Sequence, residues 1–133
     1  MDVVLVDTSV WVNFFKGKET AASLYLKNNL ANIIIATCPV IVQEVLQGVF
    51  HDKEFSRVGA YFNSLGKLTG NVYELANESA VLYREIRKKG FNIRKANDCL
   101  IAVYAMKNNV KLLHDDKDFS FIAMNSNLSV QVV

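Results

Sequence analysis

Short apolar runs that alternate with helical stretches predict an α/β fold, a three-layer sandwich with a central parallel sheet flanked by helices. Three observations carry this. Val3-Val4-Leu5-Val6 is wholly apolar and suits a strand covered on both faces. It runs directly into Asp7-Thr8-Ser9, three residue types that cap helices. Further strand-like runs at 32–36 and 110–113 are likewise separated by helical segments, the spacing of βαβ units. The length of 133 residues suits one domain, 1–133, with one core.

In chain order, Ser9 to Phe15 reads as a helix closed near Gly17, and Thr20 to Leu30 as a second. A strand follows at Asn32 to Ala36. Pro39 stands where proline is best tolerated, in the first turn of a helix running to about Gly48. Phe55, Val58, Tyr61, Phe62 and Leu65 recur at helical intervals, with a short extended piece expected at Lys67 to Thr69. Asn71 and Glu74 resemble a capping box opening a long helix through Lys89, which Gly90 ends. Asn97 to Lys107 is helical and almost uniformly apolar from Cys99 to Met106, so it should be buried on most sides. Strands are expected at Val110 to Leu113 and Leu128 to Val133, with a short helix, Phe119 to Met124, between them.

Composition removes several classes. The longest apolar run, Ile33 to Val42, is too short to span a bilayer and is broken by Thr37, Cys38 and Pro39. The N-terminus lacks the positive segment and cleavage site of a signal peptide, so the expectation is a cytoplasmic protein with no membrane segment. Cys38 and Cys99 have no C-x-x-C spacing and sit in apolar contexts, which suits buried thiols and argues against structural zinc. The net charge of +2 neither demands nor excludes nucleic acid. Arg84, Arg87, Lys88, Lys89, Arg94 and Lys95 crowd one stretch, either because cations suit a helix C-terminus or because they meet phosphate.

Ligands of open α/β sheets bind beyond the carboxyl ends of the strands, and two strands here end in acid. Asp7 follows the first, and Asp115-Asp116 follow the fourth across His114. Asp98 opens the apolar helix, whose next turn offers nothing polar, so its charge must face solvent or a cation. Glu44 lies in the helix begun by Pro39, with Gly48 one turn on. Singly, each of these acids is an ordinary cap or surface residue. Together they would force like charges into one place, and hard divalent cations, magnesium or manganese, would relieve that repulsion. Such a centre hydrolyses phosphodiesters, with Asp7 and Asp98 holding metal and Glu44 or Asp116 holding the attacking water.

Val-Asp-Thr-Ser-Val-Trp at 6–11, Pro-Val-Ile-Val-Gln-Glu-Val-Leu-Gln-Gly at 39–48, Asp-Cys-Leu-Ile-Ala at 98–102 and Leu-Leu-His-Asp-Asp-Lys-Asp-Phe at 112–119 resemble the ordered motifs of PIN domains. They are most similar to the VapC-type toxins of prokaryotic toxin-antitoxin pairs. The resemblance implies about five parallel strands and an endoribonuclease whose acidic pocket is Asp7, Glu44, Asp98 and Asp116, with Ser9 assisting through its hydroxyl. It also implies a homodimer, and inhibition by a small antitoxin filling the groove beside the acids. Asp118 falls on a further acidic position of the motif and is equally a helix cap. His114 departs from the Thr or Ser of many relatives, and either packs structurally or touches substrate and Asp116. Asp115 beside Asp116 leaves the fourth acid ambiguous by one place, with register favouring Asp116.

Arg94 and Lys95 are candidate contacts for RNA phosphates. Trp11, Phe14 and Phe15 at helical spacing suit a core or dimer contact better than a base platform, while Tyr25, Tyr61 and Phe62 could equally meet an antitoxin. A dehalogenase-like phosphatase would want Asp-x-Asp after the first strand, and an RNase H-like enzyme an antiparallel start; neither is present. A housekeeping RNA-processing nuclease and a catalytically idle PIN-like binding module remain as alternatives to the toxin.

Overall fold

The computed structural model describes residues 1–133. Four parallel strands, β1 (Val3–Val6), β2 (Ile34–Thr37), β3 (Gly66–Lys67) and β4 (Lys111–Leu113), form a sheet in the order β3-β2-β1-β4. Leu5 is the hub, in register with Ala36 on one side and Leu112 on the other. The expected fifth strand, Leu128 to Val133, contracts to a single parallel bridge between Leu112 and Val130. Leu112 alone holds it, donating to Ser129 O and accepting from the Gln131 N–H, while Val132 and Val133 beyond are exposed with nothing to pack on.

The helices are α1 (Thr8–Lys16), α2 (Ala21–Asn29), α3 (Pro39–Gln47), α4 (Asp52–Asn63), α5 (Val72–Lys88), α6 (Asn97–Lys107) and α7 (Asp118–Met124). Most follow the sequence pattern. Gly17 ends α1 in the left-handed region, with φ 71°, where a side chain would be strained. α4 begins earlier than its apolar stripe suggests, because Asp52 and Glu54 suit the positive end of a helix. Asn71 does cap α5, accepting from the N–H groups of Tyr73 and Glu74, but the reciprocal capping box forms instead at Thr20 and Ser23 of α2. No helix is long and apolar enough to cross a membrane.

Strand order positions the site. From β1 through β3 the chain steps one way across the sheet, then returns past its starting point to add β4 on the far side of β1. Right-handed crossovers put the helices of those two journeys on opposite faces, giving three layers. α1 packs on α2 and α3, and α3 on α4; α6 packs on α5 and α7 and also meets α3. The reversal lies between β1 and β4, where a cleft opens beyond the strand ends. Beneath it one core contains Val4, Leu5, Val6, Leu112, Leu113 and nearly all of α6. Cys38 and Cys99 are buried free thiols within it, as their contexts predict.

Candidate active site

Asp7 and Asp116 mark the two strand ends at the reversal. Asp7 is the N-cap of α1, and its backbone N–H still bonds Leu113 O at 3.0 Å, continuing the sheet by one residue. Its Oδ2 accepts from Ser9 N at 3.0 Å and from Ser9 Oγ at 2.6 Å. The same Ser9 oxygen accepts the Asp115 N–H at 2.9 Å. The Ser9 hydroxyl is thus committed to aligning the two strand ends and fixing Asp7.

The adjacent acids after β4 diverge. Asp115 turns towards α1 and α2, taking bonds from Asn13 Nδ2 at 2.9 Å and Thr20 Oγ1 at 2.6 Å. Asp116 turns inward, and this resolves the ambiguity of register. One oxygen each from Asp98, Asp116 and Asp118 lies within 4.8 Å of the others, and all three residues are buried. Asp118 is therefore a member of the acid cluster and not a helix cap. It receives the Lys95 N–H at 3.1 Å, while its own N–H donates to Asp116 Oδ1 at 3.0 Å.

Asp98 sits in the first turn of α6, 3% exposed. Burial, then the charge of Asp7, a hydrogen bond with Asp118 that favours the protonated form, and the charges of Asp116 and Asp118 push its carboxyl up to about 8. Asp7, equally buried, is pushed up to about 6 by desolvation, against the lowering effect of its Ser9 bonds and with a further rise from Glu44. Asp116 goes the other way. Burial alone would raise it, but the Asp118 N–H, Lys95 and Arg94 hold it below the usual carboxylate range. Arg94 Nη2 and Lys95 Nζ stand 3.2 and 3.4 Å from Asp116 Oδ2, with both cationic side chains more than half exposed at the rim.

Glu44 borders Asp7 from α3 and is held by Thr8, whose Oγ1 donates to Oε1 at 2.7 Å. Thr8 is a neighbour of the acids that the sequence reading does not single out, although its place immediately after Asp7 is a usable signal. Gly48, one turn beyond Glu44, is the C-cap of α3. His114 packs its ring 5.2 Å from Phe119, and burial lowers its pKa despite the opposing pull of Asp115 and Asp116. A neutral imidazole adds no positive charge to the cluster.

The test for a cation is whether the protein already satisfies these oxygens. It does not: Asp7 Oδ1 and Asp98 Oδ2 are buried and have no hydrogen-bond partner. Unsatisfied carboxylate oxygens are costly, and an oxygen-only donor set suits a hard divalent ion. The buried cluster of Asp98, Asp116 and Asp118 could hold such a metal.

Residues 4–124 match the PIN domain family. The chain belongs to that family. Two VapC relatives extend over nearly the whole PIN domain. The VapC ribonuclease Mb1587 of Mycobacterium bovis is 32% identical over 128 residues, covering 95% of this chain and 96% of that protein. Ribonuclease VapC11 of Mycobacterium tuberculosis gives the same figures. The fold recurs in VapBC-1 from nontypeable Haemophilus influenzae, with TM-score 0.72 at 19% identity over 97% of this chain and 96% of that one. It recurs also in VapBC2 from Rickettsia felis, solved bound to a DNA fragment from their promoter, with TM-score 0.71 at 18% identity over 97% of each chain.

Elsewhere in this PIN domain the aromatic expectations divide. Trp11 is fully buried, stacked on Phe15 at 5.6 Å and tilted against Phe62 at 4.9 Å, so it belongs to the core. Phe62 is buried too and offers no surface, whereas Tyr61 stays partly exposed beside Phe14 and Phe15 in a groove of about 420 Å³.

Proposed function

We propose that this PIN domain, a single domain over residues 1–133, is a metal-dependent endoribonuclease and the toxin of a VapBC-type pair acting in the cytoplasm. The observation that carries the reading is the pair of buried, unpartnered carboxylate oxygens on Asp7 and Asp98, set among Glu44, Asp116 and Asp118. Kinship with VapC ribonucleases over almost the full chain supports RNA as the substrate. Asp7, Asp98 and Asp116, with Asp118 as an auxiliary, would hold Mg2+ or Mn2+. When bound, the ion supplies positive charge that polarises the phosphoryl oxygens and makes hydroxide available near neutral pH.

The protein's own groups do the rest. Ser9 fixes the rotamer of Asp7, and Thr8 fixes Glu44. Glu44 Oε2 has no protein donor, which leaves it free to orient a water and take its proton; Asp116, engaged by two cations, is the poorer base. Water adds to phosphorus, the bond to the departing sugar oxygen breaks, and that oxygen takes a proton from solvent. Arg94 and Lys95 at the rim meet substrate phosphate, and His114 serves as packing beneath Asp116. A small antitoxin is the partner the VapBC structures support, with the groove of Phe14, Phe15 and Tyr61 as its docking face, and the active form is a homodimer.

The test is incubation of the purified chain with single-stranded and looped RNA, with and without EDTA, beside Asp98→Asn. Cleavage that needs the divalent ion and disappears in the variant supports the reading; cleavage that survives both sinks it. Growth arrest on expression, relieved by the small protein of the neighbouring reading frame, separates a toxin from a housekeeping nuclease.

A further inference from the structure

A second cleft lies between α5 and α6, outside the acid cluster. It has a volume of about 440 Å³ and nine lining residues, of which Arg84 and Arg87 are the only charged ones. Its α5 wall, Ala76, Ala80, Tyr83, Arg84 and Arg87, follows helical spacing, which turns Glu85 onto another side. The two helices run antiparallel, as the ion pair of Lys107 with Glu78 at 2.7 Å shows by joining the end of α6 to the early part of α5. The basic end of the groove therefore lies at the start of α6. There Ala96 and Asn97 line it, immediately before Asp98.

Neither arginine pairs with a carboxylate. Arg87 instead lies over the Tyr83 ring, its guanidinium carbon 5.5 Å from the centroid, leaving the N–H edges available. Alanines at 76, 80 and 96 keep the floor low, so a chain of phosphates could approach closely. We propose that this groove is the track for the substrate RNA on its way to the acids, with Arg84 and Arg87 binding phosphates and Tyr83 offering a stacking face for one base. The inference rests on the ribonuclease reading and adds to it a binding surface that the acids do not supply. The two unpaired guanidinium groups, with no acid in the lining, select a polyanion here over an apolar partner.

The experiment measures binding of a short single-stranded RNA in EDTA, which prevents cutting, over a range of salt. The parent is compared with Arg84→Ala/Arg87→Ala, with Tyr83→Ala, and with Arg57→Ala, which removes one positive charge on α4, outside this cleft. The double variant should bind several-fold more weakly, with the slope of log affinity against log salt reduced by about 1.4, roughly 0.7 for each phosphate no longer neutralised. Tyr83→Ala should weaken binding with the slope unchanged. Arg57→Ala should do neither. Equal affinity and slope in parent and double variant overturn the track while leaving the nuclease intact. An equal effect from Arg57→Ala also overturns it, as does dissociation of the double variant in sedimentation, which makes the groove a contact between copies. A parent with no affinity for RNA overturns the ribonuclease reading and this proposal together.

Discussion

Asp98 and Asp116 are almost equally buried, sit in one cluster, and respond oppositely. Asp98, at the start of an apolar helix, has only acids for neighbours and is pushed up to about 8. Asp116, at the end of β4, has Arg94, Lys95 and a backbone N–H, and it stays below the usual range. Burial pushes both carboxyls up, and only where donors and cations reach the oxygens, at Asp116, is that push overcome. The Asp98 half of the cleft is where positive charge is missing.

Removing that uncompensated charge gives the largest effect. Asp98→Asn should reduce RNA cleavage on the order of a hundred- to a thousandfold. The same change should raise the metal-free melting temperature at pH 8, because a buried charge without a partner disappears. A variant that loses activity and also loses stability contradicts the comparison.

Proton linkage comes next. Asp98 and Asp7 have folded pKa values of about 8 and about 6, both above the ordinary aspartate value of 3.8. The folded protein therefore binds more protons than the unfolded chain between these limits. The contribution of these two carboxyls to metal-free stability should be greatest near pH 4 and fall as pH rises through 6 to 8, while His114, whose pKa is lowered by burial, works in the opposite sense below its ordinary value of 6.5. Magnesium or manganese at a hundredfold excess over its Kd should restore about 2.7 kcal/mol at pH 8, and less at pH 5, where protons hold the same oxygens. Thermal melts at the two pH values check this, and equal stabilisation at both would count against a cation at Asp98.

Ser9→Ala should slow cleavage about tenfold and move the acid limb of the activity profile to higher pH, since Asp7 loses the bonds that lower it. Threonine at the same position should recover much of the loss. Smallest is Asp115→Ala. It removes the bonds from Asn13 and Thr20, costing about 1 kcal/mol in chemical denaturation, with cleavage within a few-fold of the parent. A loss as large as that of Asp116→Ala would mean that the two neighbours have been assigned the wrong way round.

Much of this was legible in the sequence because it was local. The apolar runs specified three of the strands, the caps and glycines closed the helices, and Asp7 and Asp98 stood at element ends where a carboxylate demands an explanation. What escaped were pairings between distant residues. Thr8 with Glu44, Thr20 with Asp115 and Lys95 with Asp118 are 36, 95 and 23 positions apart, and no periodicity reports them. Asp118 read equally as a further acid of the motif and as a cap, because its local pattern is that of a cap. Only the fold brings the 94–95 segment over it. The final strand was overestimated because Leu128, Val130 and Val132 alternate as in a strand, yet the sheet edge engages it only at Leu112 and leaves Val132 exposed.

The Ser9 hydroxyl joins the ends of two strands that are 106 residues apart, giving its proton to Asp7 and taking one from the amide of Asp115. Folding has thus already frozen the torsions of Asp7 before anything enters the cleft. A ligand arriving there finds a preset claw, and loses little freedom of the host in closing with it.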